Sequence, residues 1–260
     1  MPEQAENITD HSNRFVCPQT RPGAATRLFL FPFAGGGPAA FARWSAGFPD
    51  SLEAWVAHYP GRGSRQHEGP INRLLPLVEN LSQSIRPLMD KPFAFFGHSL
   101  GGLVLFELAR YLRRHNLPGP AAVFISACRA PHVPDPDVPI HDRPDAEFLS
   151  ALDRLNGIPK EILQNPEALE LFLPAMRADF ECIEHYQFDD NHPPLDCPIS
   201  VFGGLDDPRI SRDHLEGWSN HTTSRFGSRY YPGDHFFINQ AGDPIIQAIV
   251  LELESAAAGG

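Results

Sequence analysis

The chain has 260 residues, of which 42% are hydrophobic; this is enough for one sizeable core, and α/β folds of this length are commonly single domains. A formal net charge of −11, from 32 acidic against 21 basic residues, argues against nucleic-acid binding, which needs a basic footprint. Cys17, Cys128, Cys182 and Cys197 lack C-x-x-C spacing, which points away from a zinc site or a disulfide framework and fits a reduced, cytoplasmic setting. No basic-then-apolar leader opens the sequence, and no apolar run approaches the length of a membrane span.

Residues 1–26 are polar and aperiodic, with Pro18, Pro22 and Gly23, and read as a flexible N-terminal arm preceding one domain over 27–260. Arg27–Phe31 is an apolar run that predicts a buried strand, and it ends in Pro32-Phe33-Ala34-Gly35-Gly36-Gly37-Pro38. Three glycines after a strand are compatible with a phosphate cradle, yet the Walker lysine is absent and G-x-G-x-x-G does not fit. In a hydrolase sheet a loop at this place supplies one backbone N–H of the oxyanion hole, and Ala34 is the expected donor. A helix over Ala39–Ala46 follows, then a strand over Glu53–Tyr59 closed by the basic loop Pro60–Arg65. Leu74, Leu77, Val78, Leu81, Ile85 and Leu88 recur at helical spacing, so 73–89 should cover the sheet as an amphipathic helix.

Phe93–Phe96 is uniformly apolar and runs through Gly97-His98-Ser99-Leu100-Gly101 into the helical pattern Leu103–Tyr111. G-x-S-x-G alone recurs by chance; a strand before it and a helix after it make it a nucleophile elbow. There Ser99 stands on a sharp turn, and the N–H of Leu100 supplies the second oxyanion donor. Ala121–Ala127 is another buried strand, and strands alternating with helices specify a mostly parallel sheet covered on both faces. The alternation breaks over 131–190, where a Pro-rich entry precedes helical patterns at 145–156, 159–164 and 166–187; this segment reads as a helical lid insertion. The sheet resumes at Pro198–Phe202 and stops at Asp206-Asp207-Pro208. A helix over Arg212–Asn220, a strand near Arg225–Tyr231, His235 and a last helix over Pro244–Leu253 complete the chain.

Ser99, an Asp at a strand end and a His late in the chain reproduce the Ser…Asp…His order of α/β-hydrolases. A serine hydroxyl needs a base to become a nucleophile, and a carboxylate holds the base in the right tautomer. His235 fits by its place between the last strand and last helix, while His98 packs under the elbow. Only one of the adjacent Asp206 and Asp207 can face His235; Asp207, fixed by Pro208, is favoured.

Six ordered motifs, Pro32–Gly36, Pro60–Gly63, Gly97–Gly102, Arg177–Phe180, Gly203–Pro208 and Gly233–Phe237, resemble those of the type II thioesterases of nonribosomal peptide and polyketide synthesis over about 27–250. Many members of that family have His where Phe33 stands and a second Gly where Asp234 stands, departures at the pocket rim that leave the triad intact. The resemblance implies an α/β-hydrolase fold with Ser99 as nucleophile, Asp207 and His235 as its partners, and Ala34 and Leu100 as oxyanion donors. It implies hydrolysis of aberrant or stalled acyl groups from the phosphopantetheine arm of carrier domains, with no metal and no cofactor beyond the arm that the substrate carries. Carrier domains are the expected partners, met weakly through a basic patch of Arg62 and Arg65, and a monomer is the expected state. Three other readings share these residues: a carboxylesterase or lipase, a product-releasing thioesterase, and a non-catalytic binding protein of the same fold.

Overall fold

The computed structural model describes residues 11–154, 162 and 164–258. In chain order the elements are β1 (Phe15–Val16), β2 (Thr26–Phe31), α1 (Ala42–Gly47), β3 (Leu52–Ala57), α2 (Leu74–Ile85), β4 (Phe93–His98), α3 (Leu100–Arg114) and β5 (Val123–Ser126). There follow α4 (Asp145–Arg154), α5 (Pro166–Glu184), β6 (Ile199–Gly204), α6 (Arg212–Glu216), β7 (Phe226–Tyr231) and α7 (Gly242–Ala258). Among the described residues the strands form one sheet in the order β1-β3-β2-β4-β5-β6-β7, parallel throughout except for β1.

The sheet is buried on both faces because its central strands are apolar at every position rather than at alternate ones. Phe29, Phe31, Phe93 and Phe95 point to one side, where α2 and α3 bring Leu77, Leu81, Val104 and Leu108. Leu28, Leu30, Ala94 and Phe96 point to the other, against Trp44 of α1 and Ile245 and Ile249 of α7. Alternation with period two thus sorts one continuous apolar run into two cores.

The N-terminal arm is not loose over its whole length: Phe15 and Val16 pair antiparallel with Ala57 and Val56 at the sheet edge, and Phe15 is buried with its ring edge-on to Phe29 and Phe31. Burying one large aromatic side chain offsets the cost of ordering a short strand that has no periodic signal of its own. Residues 1–10 of the predicted arm lie outside the described residues, as does most of the predicted helix at 159–164. The helix over 39–46 opens as a 3-10 turn, Pro38–Phe41, before α1. Between β5 and β6 the chain leaves the sheet for α4 and α5, which join in a small core of Phe148, Leu152, Met176 and Phe180.

Candidate active site

The site forms where the C-terminal ends of the central strands meet the helical segment, the usual place for a ligand in a parallel sheet. β4 runs into α3 with Ser99 alone between them, at φ +54°, a conformation that a non-glycine residue adopts only under constraint. The constraint comes from packing on both sides. A Cβ at Gly97 would lie 2.3 Å from the Gly101 carbonyl oxygen, and one at Gly101 would lie 1.9 Å from that of Phe31. The Gly102 N–H donates to the Ser99 carbonyl at 2.8 Å, closing the turn. Leu100 opens α3, whose first N–H groups have no acceptor within the helix and lie at the positive end of its dipole.

After β7, His235 returns over the sheet end and its Nδ1 donates to Asp207 Oδ2 at 2.8 Å. A carboxylate only accepts, so Nδ1 is the protonated nitrogen of the neutral tautomer, the one in which Nε2 is the acceptor. Both side chains are buried, Asp207 completely. Asp207 Oδ1 accepts the N–H groups of Arg209 at 2.9 Å and Ile210 at 3.1 Å, which locks the carboxylate plane. Burial alone would raise the Asp207 carboxyl; the hydrogen bond and charge of His235, with those two N–H groups, hold it below the usual carboxylate range. Asp206, by contrast, is exposed.

Ser99 and His235 line the same cavity of about 160 Å³, walled by Leu103, Cys128, Val133 and Ile210. A smaller one, also lined by Ser99 and His235, is bounded by Ala34, Met176, Phe180 and Phe236. Cys128 is no rival nucleophile, because burial pushes its thiol up to about 12. His98 lies beneath the elbow with Nδ1 2.9 Å from Ser126 Oγ and its ring among Phe33, Phe236 and His235. Burial first, and the neighbouring His235 second, hold it well below the usual imidazole value, so it is neutral.

The proposed basic docking patch is not at the surface. The Arg65 side chain is 1% exposed; it donates to Glu68 Oε1 at 2.7 Å and to the His58 carbonyl. Arg62 is 11% exposed and forms a two-bond ion pair with Asp179 of α5. Both guanidinium groups are consumed by internal acceptors, so neither is available to a partner. Asp179 stands in one of the six motifs without an expected role; a carboxylate between Ala178 and Phe180 on an otherwise buried helical face is the signal that could have found it. His141, Glu181 and His185 bring metal-type ligand atoms within 4.8 Å of one another, but none lines the Ser99 cavity and Glu181 is engaged by Arg73 and Asn72. Among the described residues no helix is long and apolar enough to cross a membrane.

Residues 26–253 match the family described as Thioesterase domain. The gramicidin S biosynthesis protein GrsT of Aneurinibacillus migulanus is 39% identical over 246 residues, covering 95% of this chain and 96% of the relative. The thioesterase RedJ of the prodiginine pathway in Streptomyces coelicolor superposes with a TM-score of 0.82 at 32% identity, over 88% of this chain and 91% of RedJ. YbtT, a type II thioesterase from the yersiniabactin NRPS/PKS pathway, does so with a TM-score of 0.84 at 31% identity, over 94% and 99%. The seven-stranded, mostly parallel sheet is accordingly an α/β-hydrolase fold, and this chain belongs to the thioesterase family of thioester hydrolases.

Proposed function

We infer that the enzyme clears aberrant or stalled acyl groups from phosphopantetheinyl carrier domains of a nonribosomal peptide or polyketide synthase, through an acyl-enzyme on Ser99. The observation that carries this reading is the buried Asp207–His235 pair opening onto one cavity with a strained Ser99. Relatives named for gramicidin S biosynthesis and for a type II role in an NRPS/PKS pathway support the substrate class.

Ser99 Oγ attacks the thioester carbonyl while its proton passes to His235 Nε2, and Asp207 stabilises the imidazolium. The carbonyl oxygen becomes an oxyanion that accepts from the N–H groups of Ala34 and Leu100. Collapse breaks the C–S bond; the pantetheine sulfur leaves with the proton held by His235, and the acyl group stays on Ser99. A water then gives its proton to the same Nε2 and attacks the ester, and the returning proton restores Ser99 as the free acid departs. None of these steps calls on a metal or a further cofactor. The segment carrying α4 and α5 acts as the lid, supplying Met176 and Phe180 to the acyl side of the site.

Matched acyl-pantetheine and acyl-alcohol substrates test the reading. The thioester should be favoured in kcat/KM, with both activities lost in Ser99→Ala; preference for the oxygen ester would assign a carboxylesterase instead.

A further inference from the structure

Pro32–Gly36, Pro60–Gly63 and Arg177–Phe180 are distant in sequence and converge on one buried carboxylate. Asp179 Oδ2 accepts the Gly35 N–H at 2.7 Å and Arg62 Nη1 at 2.6 Å, and its Oδ1 accepts Arg62 Nη2 at 2.7 Å. Arg62 Nη1 also donates to the Gly36 carbonyl at 3.1 Å, so one guanidinium grips both the carboxylate and the loop. Tyr59 supports it from below, with its ring 5.2 Å from the guanidinium carbon and its hydroxyl donating to the Pro32 carbonyl at 3.2 Å.

The loop so held is a four-residue turn. The Gly36 N–H donates to the Phe33 carbonyl at 2.8 Å, and Gly35, third in the turn, has φ +74°. That positive φ is the requirement of a type II turn at its third residue. In a trans peptide the N–H and the C=O point in opposite directions, so fixing the Phe33 carbonyl fixes the direction of the Ala34 N–H. The Ala34–Gly35 plane is the one free to flip, because glycine tolerates either arrangement. Its N–H is the group that Asp179 holds, through a charge-assisted bond. A buried ion pair is a poor source of stability compared with apolar packing of similar volume, whereas oxyanion donors act only when rigidly preorganised.

We propose that Asp179 is a positioning residue for thioester hydrolysis: by holding the Gly35 N–H and, through Arg62, the Gly36 carbonyl, it keeps in place the turn whose Gly36 N–H fixes the Phe33–Ala34 peptide and so presents the Ala34 N–H to the oxyanion, and because it rides on α5 that placement depends on the helical segment being seated. The inference rests on the reading of Ala34 as an oxyanion donor. Asp179 itself lines neither of the two cavities that Ser99 lines.

The test compares Asp179→Ala and Asp179→Asn in the full chain, with a short acyl thioester of N-acetylcysteamine as substrate. Two inhibitors complete it: a trifluoromethyl ketone thioether, which Ser99 converts to a tetrahedral oxyanion, and an unreactive thioether of the same shape. Loss of an oxyanion donor costs about 100-fold or more, so a misaimed one in Asp179→Ala should lower kcat by about 10- to 100-fold with KM within about twofold. The trifluoromethyl ketone should weaken by the same factor while the unreactive thioether binds as before. Asp179→Asn retains an acceptor for Gly35 and should stay within about fivefold of wild-type kcat. Should Asp179→Ala fail to fold, Gly35→Ala strains the same turn, since its Cβ would lie 2.5 Å from Met176 Cε and 2.7 Å from Phe172 Cζ of α5; the same signature is expected. An Asp179→Ala or Gly35→Ala enzyme with undiminished kcat overturns the inference, as does equal loss in both Asp179 variants with both inhibitors weakened together. Ser99→Ala, run alongside, separates the two levels: if it still turns over, the proposed function fails; if it is dead while Asp179→Ala is fully active, only this inference does.

Discussion

The two walls of the site are held by different means. On the sheet wall, Ser99 is fixed by its own backbone, squeezed between Gly97 and Gly101, and His235 is fixed by a carboxylate 28 positions away. On the helical wall, order comes from side chains that reach across 117 and 144 positions: Arg62 to Asp179, and Gly35 to Asp179. The first arrangement is rigid whenever the sheet is folded. The second exists only while α5 is docked, so the order of the helical wall depends on a tertiary contact rather than on the sheet itself. Elements that move in function come from regions whose contacts are fewer and separable from the main core, and the cluster around Phe148 and Phe180 is such a region.

The contrast is broken most severely on the sheet wall. Ser99→Ala should lower kcat by on the order of 10⁶-fold on a small acyl thioester, with the fold unchanged by circular dichroism. Asp207→Asn should cost about 10⁴-fold, because the amide no longer secures the reactive tautomer of His235. Asp206→Asn should leave turnover within about twofold, being an exposed turn residue; the reverse ranking would exchange the two carboxylates.

Next in size is a change confined to the helical wall. Phe148 is fully buried, with Phe180 edge-on at 5.7 Å and the Arg177 guanidinium 4.4 Å from its ring centre. Phe148→Ala should destabilise this region by about 3–5 kcal/mol. Hydrogen exchange should quicken across 166–184 while the amides of β4 stay protected; uniform acceleration would show that the two walls are one cooperative unit.

The smallest effect lies beneath the elbow. Burial keeps His98 neutral in the fold, and His221, depressed to about 4 by burial and by the neighbouring His132, behaves alike. Between the folded and unfolded values the unfolded chain binds more protons, so stability rises with pH across that window and is lost as pH falls below about 6.5. Each buried histidine contributes a slope of about 1.4 kcal/mol per pH unit there. Urea denaturation of His98→Gln from pH 7 to 5 should show a shallower acid decline than wild type; an identical decline would remove His98 from the account.

The sequence made the sheet wall readable because its determinants are local. Apolar runs marked β2, β4, β5 and β6; the spacing of Leu74, Leu77, Val78, Leu81 and Ile85 marked α2; and glycines two residues to either side marked Ser99. The strand end narrows the carboxylate to Asp206 or Asp207 and Pro208 favours Asp207; the structure gives Asp207 the hydrogen bond to His235 and leaves Asp206 exposed. The helical wall was readable only as helices. Nothing periodic pairs Arg62 with Asp179, so the loop reads as a basic surface although its charges are neutralised inside. Strand β1 escaped for a related reason: two residues have no period, and Phe15 is recruited by an edge that exists only after folding.

Mass spectrometry of carrier proteins loaded with a panel of acyl groups, before and after incubation with wild type and with Ser99→Ala, reads acyl release from the carrier itself. Wild type should return carriers to the free thiol with acyl adducts passing through the peptide that contains Ser99, and Ser99→Ala should leave every carrier loaded. Carriers cleared at the same rate by Ser99→Ala would contradict an acyl-enzyme on Ser99.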